Sequence, residues 1–333
     1  MRIGFLGLGR IGSSHADVVA RHPDVESLVV ADAVPARAAE AAVRLACDSA
    51  TDVDEMIAGG VDALVVASPT DTHADLIRVG ARAGLPVFCE KPIALDVADT
   101  RKVVEEVEAA GVQVQIGFQR RFDRGYATAR EALRSGRIGE LHRVHVLTGD
   151  EKPPNPAFLP TSGGLYRDCH IHDFDILRWV TGREVAEVSA FGVNRGADFF
   201  REAGDVDNAA AVLRLDDDTL VTLQGSRYNG AGHDVRMELA GTQDTYVVGL
   251  SDRSPLTSAE EGVSFPSGEP WPDFWARFAP AYVAEMHAFV DVVKGRMPSP
   301  CTVQDALAAF QVAEAADLSL REGRRVELAE VAR

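Results

Sequence analysis

A short stretch in the middle of the chain combines acidic and imidazole side chains at a spacing that suits proton transfer. It reads GGLYRDCHIHDFDILRW over residues 163–179. If the stretch forms one helix, Asp168 and His172 lie one turn apart on the same face. A carboxylate beside an imidazole fixes the tautomer of the ring and adjusts its basicity. The spacing therefore predicts a helix that carries an acid–base pair.

Two other interpretations of this stretch remain open. It could be an ordinary buried helix with a hydrogen-bonded histidine, although its polar residues are more numerous than packing alone requires, namely Asp168, His170, His172, Asp173 and Asp175. A metal site would need His170 and His172 to converge. They do so on a strand, but on a helix they point about 200° apart. We therefore expect no metal, and we expect His170 to face away from the pair.

Composition narrows the class of protein. The chain has 333 residues, enough for two domains, and a net charge of −17 from 34 basic and 51 acidic residues. This acidity argues against binding of nucleic acid or an anionic membrane. The four cysteines have no CxxC spacing, which favours a reducing compartment. No apolar stretch reaches the length of about 18 residues that a membrane span needs, and the N-terminal run does not look like a signal peptide. These features predict a soluble cytoplasmic protein with a small-molecule partner.

The N-terminus carries a glycine pattern that indicates a dinucleotide site. A short apolar strand at residues 3–6 leads into G-x-G-x-x-G, and a helix is predicted over residues 13–21. In this context the first glycine permits the tight turn, the second lets the backbone approach a pyrophosphate, and the third allows close helix–strand packing. The helix start would face the phosphates. The predicted cofactor-binding residues here are Gly7, Gly9, Arg10, Ile11 and Gly12.

An acidic residue at the end of the second predicted strand indicates which cofactor is used. Asp32 follows the strand at residues 27–31, twenty residues after Gly12. A carboxylate there is placed to accept hydrogen bonds from the adenosine ribose and to repel a 2′-phosphate. The next residue is Ala33 rather than an arginine, so the sequence predicts NAD rather than NADP. Arg37, five positions further on, keeps NADP open as an alternative.

Helices and strands continue to alternate through residue 118, which predicts a doubly wound parallel sheet. Ligands in such sheets bind beyond the carboxyl ends of the strands. The polar residues at or just after these ends, predicted to contact the cofactor, are Ser68, Thr70, His73, Glu90 and Lys91. Lys91 ends a buried strand and precedes a proline, so it could orient a substrate hydroxyl or merely cap the sheet.

The alternation of helices and strands ends after Gly117. Five stretches with period-two alternation occur at residues 141–148, 185–193, 209–215, 219–226 and 233–240, with Asp216–Asp218 as a hairpin turn. They predict a second, α+β domain with a mostly antiparallel sheet. We place the boundary at 120/121, with residues 1–120 binding NAD and 121–333 binding substrate and forming an oligomer interface. A final helix at about 302–321 is expected to pack back on the first domain.

Taken together, these segments resemble the Gfo/Idh/MocA oxidoreductase family, and within it the bacterial inositol 2-dehydrogenases. The resemblance covers nearly the whole chain. It is carried by GLGRIG at 7–12, EKP at 90–92, GFQRRFD at 117–123 and GGLYRDCHIHDFDILRWVTG at 163–182. It implies a Rossmann domain followed by an α/β domain whose large open sheet forms homo-oligomers, commonly tetramers.

The resemblance also implies roles for individual residues. Lys91, Asp168 and His172 would be catalytic and contact substrate. Arg121 would lie near substrate and nicotinamide, and Asp150 near the hydroxyls of a cyclitol. Inositol dehydrogenases often carry Gly-Tyr-Asp where this chain has Gly232-His233-Asp234, so His233 would contact the substrate in place of the tyrosine. This departure leaves the particular polyol open.

The expected function is NAD-dependent oxidation of a secondary hydroxyl, most simply that of myo-inositol to 2-keto-myo-inositol. Alternatives are scyllo-inositol or an aldose as substrate, glycoside cleavage by transient oxidation on bound NAD, and a non-catalytic NAD sensor. Intact Lys91, Asp168 and His172 argue against the sensor.

Overall fold

A computed structural model describes residues 1–332. The chain divides into two compact units. The first contains residues 1–119 and 280–308, and the second contains residues 120–279 and 309 onward. No helix of the described residues is both long enough and apolar enough to span a lipid bilayer.

The first unit contains a six-stranded parallel sheet in the order β3-β2-β1-β4-β5-β6. Its strands are β1 (Arg2–Leu6), β2 (Ser27–Ala31), β3 (Asp48–Ser49), β4 (Ala63–Val66), β5 (Val87–Glu90) and β6 (Val114–Gly117). The order reverses between β1 and β4, and that point in a doubly wound sheet forms the ligand crevice. The predicted Rossmann architecture is confirmed.

Five helices connect these strands: α1 (Arg10–Val19), α2 (Pro35–Leu45), α3 (Val53–Ala58), α4 (His73–Arg82) and α5 (Val97–Ala110). Because helices cover both faces of such a sheet, its strands are apolar throughout rather than alternating. Ile3, Phe5, Val65 and Phe88 are fully buried accordingly. Helix α1 begins at Arg10, three residues earlier than predicted, so its first turn falls inside the glycine motif.

The second unit contains a seven-stranded sheet in the order β12-β11-β7-β10-β9-β8-β13. Its strands are β7 (Leu141–Gly149), β8 (Val185–Val193), β9 (Asn208–Leu215), β10 (Leu220–Ser226), β11 (Asp234–Gly241), β12 (Thr245–Val248) and β13 (Val326–Glu327). All neighbouring pairs are antiparallel except β7 and β10. The predicted mostly antiparallel sheet is therefore confirmed, and its single parallel pair was not foreseen.

The remaining helices are α6 (Arg124–Arg134), α7 (Leu159–Ser162), α8 (Leu165–Asp168), α9 (Ile171–Thr181), α10 (Phe199–Glu202), α11 (Phe274–Val293), α12 (Val303–Glu322) and α13 (Leu328–Val331). The last part of α11 belongs to the first unit, where Met286, Phe289 and Val290 join the buried core. The seven-stranded sheet buries alternate residues, including Val144, Leu213 and Leu223.

The prediction of one continuous helix through Asp168 and His172 is wrong. Helix α8 ends at Asp168, and α9 begins at Ile171. Between them the regular i→i−4 pattern is lost, because the His170 N–H bonds Leu165 O, five residues back, and the His172 N–H bonds Cys169 O, three residues back. Asp168 and His172 therefore lie on two successive helices, so helical spacing does not determine how the two side chains are placed.

Candidate active site

The glycine motif at the end of β1 has the geometry that close approach of a ligand requires. Gly7 has a φ of +93°, and a Cβ there would lie 2.5 Å from the backbone of Ser68. A Cβ on Gly12 would overlap the carbonyl oxygen of Gly7, whereas a Cβ on Gly9 would meet nothing within 4 Å. Gly7 and Gly12 thus shape the turn, and Gly9 leaves open space above it.

The start of α1 lies directly after this open space. Its N-cap is Gly9, which offers no side-chain cap. The first N–H groups of a helix lack partners within the helix, and the helix dipole places positive charge there. The loop and the ten-residue helix α1 therefore form a cradle that fits a pyrophosphate.

Asp32 lies beside this cradle, at the carboxyl end of β2. Its Oδ2 accepts a hydrogen bond of 2.7 Å from the Leu8 N–H, and its Oδ1 accepts one of 2.8 Å from the Val34 N–H. Arg37 NH1 lies 3.7 Å from Oδ1. The carboxylate is thus held against the glycine loop, where a ribose would need its acceptor.

The ends of β4 and β5 are tied together by His73. Its Nε2 lies 2.9 Å from Ser68 O, and its Nδ1 lies 2.7 Å from Pro92 O. The ring is 2% exposed. His73 therefore holds the two strand ends that carry Ser68 and Lys91, while Thr70 begins a single 3-10 turn after Ser68.

Glu90, at the end of β5, is held from within the first unit. His15 Nε2 lies 2.7 Å from Glu90 Oε1, and a Cβ on Gly117 would come within 3.0 Å of Glu90 Oε2. Lys91 follows and is joined to Pro92 by a cis peptide bond. Since the side chain of Glu90 is fixed, the backbone that carries Lys91 is fixed with it.

His15, Glu90 and Glu285 form the one group of side chains in the described part of the chain that is spaced to hold a metal ion. The short His15–Glu90 contact is a direct hydrogen bond between two of the three. This hydrogen bond supports the end of β5.

In the second unit, polar residues form a row across the ends of three adjacent strands. Parallel pairing matches Gly149 of β7 with Ser226 of β10, so Asp150 and Arg227 are the next residues on each strand. Antiparallel pairing matches Gly149 with Asp234 of β11, which places His233 on the other side of Asp150. His233 Nδ1 lies 3.4 Å from Asp150 Oδ1. The row is therefore a consequence of strand register.

Arg227 joins this row to α8. Its NH1 lies 3.0 Å from Asp150 Oδ2 and 2.7 Å from Cys169 Sγ, and its NH2 lies 2.7 Å from Asp168 Oδ2. Burial alone would raise the pKa of Asp150, but the hydrogen bond from His233 and the charge of Arg227 outweigh it and lower that pKa to about 2. Asp150 is therefore a carboxylate at neutral pH, able to accept hydrogen bonds from hydroxyl groups.

Arg121, His170 and His172 have surroundings that differ from those of Arg227. Arg121 is buried and pairs with Asp175, with Nε 2.9 Å from Oδ2 and NH2 2.6 Å from Oδ1. His170 is fully buried, with Nδ1 2.7 Å from Asp173 Oδ2. His172, by contrast, is the second residue of α9 and is partly exposed.

Sequence reasoning missed two features of this site. The first is Arg227, whose only local signal is its position directly after a strand. The second is the segment between β12 and α11, which packs on His233: the His233 N–H donates to Trp271 O at 2.8 Å, and a Cβ on Gly232 would come within 2.6 Å of Pro270. This contact fixes the backbone next to Asp150.

Helix α8 is anchored to α12 by Arg167. Its NH2 lies 2.5 Å from Glu314 Oε2, and its Nε lies 2.7 Å from Asp317 Oδ2. Burial raises the pKa of Asp317 from 3.8 to about 7, although the charge of Arg167 acts in the opposite direction. The anchor therefore contains a carboxyl group that changes its charge near neutral pH.

This pKa predicts how stability depends on pH. A carboxyl group whose pKa is higher in the folded than in the unfolded state stabilises the fold at low pH. This contribution to the free energy of unfolding is lost as pH rises from about 4 to about 7, by about 1.4 kcal/mol per pH unit. Asp317→Asn should therefore raise Tm relative to the unmodified protein more at pH 8 than at pH 5. Thermal unfolding at the two pH values checks this, and an equal shift at both would contradict it.

The strand order, the glycine cradle and the carboxylate at the end of β2 define a dinucleotide-binding protein of the Rossmann class. Residues 1–118 match the model of the oxidoreductase family with an NAD-binding Rossmann fold, and residues 126–247 match that of the GFO/IDH/MocA C-terminal domain. The chain belongs to the Gfo/Idh/MocA family of NAD-dependent oxidoreductases.

Individual relatives are similar over the whole chain. The myo-inositol dehydrogenase Hyg17 of Streptomyces leeuwenhoekii is 36% identical, covering 97% of this chain and 98% of the relative. The scyllo-inositol 2-dehydrogenase (NAD(+)) of Bacillus subtilis is 34% identical, covering 98% of this chain and 96% of the relative. The crystal structure of scyllo-inositol dehydrogenase from Lactobacillus casei with NAD(H) and scyllo-inositol has a TM-score of 0.88 at 29% identity, with 99% of each chain covered.

Proposed function

We propose that this chain oxidises a secondary hydroxyl of a cyclitol with NAD, converting myo-inositol to 2-keto-myo-inositol. The observation that carries the proposal is the pair of carboxylates, Asp150 and Asp168, held by Arg227 at the end of the seven-stranded sheet. Carboxylates fixed in this way accept hydrogen bonds from the several hydroxyls of a polyol. Relatives that act on inositols, similar over the full length of this chain, support the same substrate class.

The proposed mechanism divides the work between the two units. The glycine cradle and Asp32 would hold NAD, which would supply the acceptor for the hydride. His172 removes the hydroxyl proton, and Asp168 holds and stabilises the imidazolium that forms. Lys91 donates a hydrogen bond to the same hydroxyl oxygen and stabilises the negative charge that develops on it.

Three further residues are proposed to recognise substrate. Asp150 and His233 would bind hydroxyls that do not react, which makes His233 a candidate for selecting among cyclitols. Arg121 would act near the substrate and the nicotinamide. Its ion pair with Asp175 supports a positioning role, in which it keeps α9 in place, rather than a direct proton transfer.

A substrate screen tests the proposal. NADH absorbance should rise when the protein is mixed with NAD and myo-inositol, and more slowly with NADP. Parallel reactions with scyllo-inositol, other inositol isomers and aldoses identify the preferred polyol. If an aldose is preferred, the substrate is an aldose rather than a cyclitol. Cleavage of a glycoside without net NADH would instead indicate transient oxidation.

The charge of Asp32 is proposed to set the cofactor preference. Asp32→Asn keeps an acceptor for the backbone of the glycine loop but removes the charge that repels a 2′-phosphate, and it releases Arg37 to bind that phosphate. We expect the ratio of kcat/KM with NADP to that with NAD to rise by about 10-fold, corresponding to about 1.4 kcal/mol. An unchanged ratio in steady-state assays would contradict this role.

We also propose a cytoplasmic homo-oligomer, a tetramer in the simplest case. The four cysteines have no CxxC spacing, which supports a reducing compartment. One face of the seven-stranded sheet exposes Phe191, Val212 and Leu220, at 66%, 47% and 55%. Exposed apolar groups on a sheet face favour association with a second copy. Light scattering coupled to size exclusion measures the state, and a monomer would contradict the proposal.

A further inference from the structure

We propose that Arg227 is a positioning residue that sets the orientation of both Asp150 and Asp168 in the active site. The inference rests on the proposed function, since it concerns how the same two carboxylates are held. Arg227 is 3% exposed and directly follows β10. Its NH1 donates to Asp150 Oδ2 at 3.0 Å, and its NH2 donates to Asp168 Oδ2 at 2.7 Å.

The backbone that carries the guanidinium is held in place. The backbone N–H of Arg227 donates to Asp207 O at 2.8 Å. Asp207 is fully buried, and its carboxylate accepts hydrogen bonds from the backbone N–H groups of Arg195 and Gly196. The side chain of Arg227 therefore extends from a rigid strand end rather than from a mobile loop.

Its two partners come from separate elements. Asp150 directly follows β7, and Asp168 ends the four-residue helix α8. Arg227 is thus a direct link between the sheet and the helix that precedes His172. Its contact with Cys169 Sγ at 2.7 Å lies in the break between α8 and α9, so the guanidinium also supports the point at which the helix is interrupted.

The two contacts of Arg227 determine how each carboxylate group is oriented. Arg227 takes Oδ2 of both residues. It thereby sets the direction of Asp150 Oδ1, which lies 3.4 Å from His233 Nδ1, and that of Asp168 Oδ1. A planar guanidinium can bond two carboxylates at once in a fixed geometry, which a lysine ammonium cannot reproduce.

Arg227→Lys tests this role, because it keeps the positive charge and loses the two-armed geometry. We expect kcat to fall and KM for the polyol to rise together, so that kcat/KM drops by about 100-fold, a loss that a displacement of about 1 Å at a reacting centre can cause. The dissociation constant for NAD should not change, because the cofactor cradle lies in the other unit.

Double variants separate positioning from simple stabilisation. If Arg227 acts through the carboxylates, Arg227→Lys should cost far less in kcat/KM when added to Asp168→Asn or to Asp150→Asn than when added to the unmodified enzyme.

Arg214→Lys is the matched control for Arg227→Lys. Arg214 lies on β9 of the same sheet and also bridges two carboxylates, with Nε 3.1 Å from Glu187 Oε1 and NH1 2.7 Å from Asp218 Oδ1. It should leave kcat and KM unchanged.

The outcomes are distinguishable. If the unmodified enzyme is active and Arg227→Lys keeps its kcat and KM, the positioning role is overturned while the proposed function stands. The role is also overturned if activity falls only in proportion to the folded fraction, measured by thermal unfolding, or if the effects multiply in the double variants. An unmodified enzyme that oxidises no polyol would overturn the proposed function itself, and with it the role of Arg227.

Discussion

His172→Ala is expected to lower kcat for polyol oxidation by about 10²–10⁴-fold, the usual contribution of a general base. The hydroxyl proton must leave as the hydride departs, and alanine offers no acceptor for it. NAD binding should persist, because the glycine cradle and Asp32 belong to the first unit. Steady-state kinetics with the preferred polyol and a fluorescence titration with NADH measure the two effects separately.

His145→Ala is the matched control for this variant. His145 lies on the exposed face of β7 in the same unit, with Nδ1 2.9 Å from Thr222 Oγ1. Its removal should leave turnover nearly unchanged. Near-normal turnover in His172→Ala would rule out His172 as the base and leave proton removal to another group, such as Lys91.

Lys91→Met should reduce kcat by about 10²–10³-fold, the range found when a donor to a developing oxyanion is removed. Methionine keeps much of the length of the side chain and loses the ammonium group. Because Glu90 and His73 hold the strand end on either side of Lys91, the loss should affect chemistry more than folding. Lys91→Arg should not restore activity, since the guanidinium is larger and planar.

Lys102→Met provides the control for Lys91. Lys102 is exposed on α5 of the same unit, so its replacement removes the same charge from a surface position. We expect kcat, KM and Tm of this variant to match those of the unmodified protein. If Lys91→Met has the kinetics of the control, Lys91 merely caps the sheet. Its sequence context leaves this alternative open.

Much of the first unit could be predicted from the sequence, because its signals are local. Each parallel strand is a short apolar run, and the glycine motif, Asp32 and the strand ends follow one another at fixed intervals. Gly7 and Gly12 are required because a Cβ at either position would overlap neighbouring backbone atoms. The start of α1 differed, since extended Gly9 can serve as the N-cap without a polar side chain. The two-residue strand β3 was not predicted.

The site in the second unit depends on contacts that no local pattern specifies. Arg227 meets Asp150 because β7 and β10 pair in parallel across 77 positions of sequence. Strand order and register are set by the packing of the whole sheet, so a single sequence does not reveal them. The helix break after Asp168 lies beside His170, which is buried and bonded to Asp173, and periodicity could not indicate it.

Oxidation of a cyclitol by this protein is followed most directly through the hydrogen that is transferred. Myo-inositol deuterated at carbon 2, incubated with the enzyme and NAD, should give deuterated NADH and 2-keto-myo-inositol in equal amounts, as measured by mass spectrometry and absorbance. Formation of unlabelled NADH would place the oxidation at another carbon. Formation of no NADH with any free polyol would contradict the account of this protein as a cyclitol dehydrogenase.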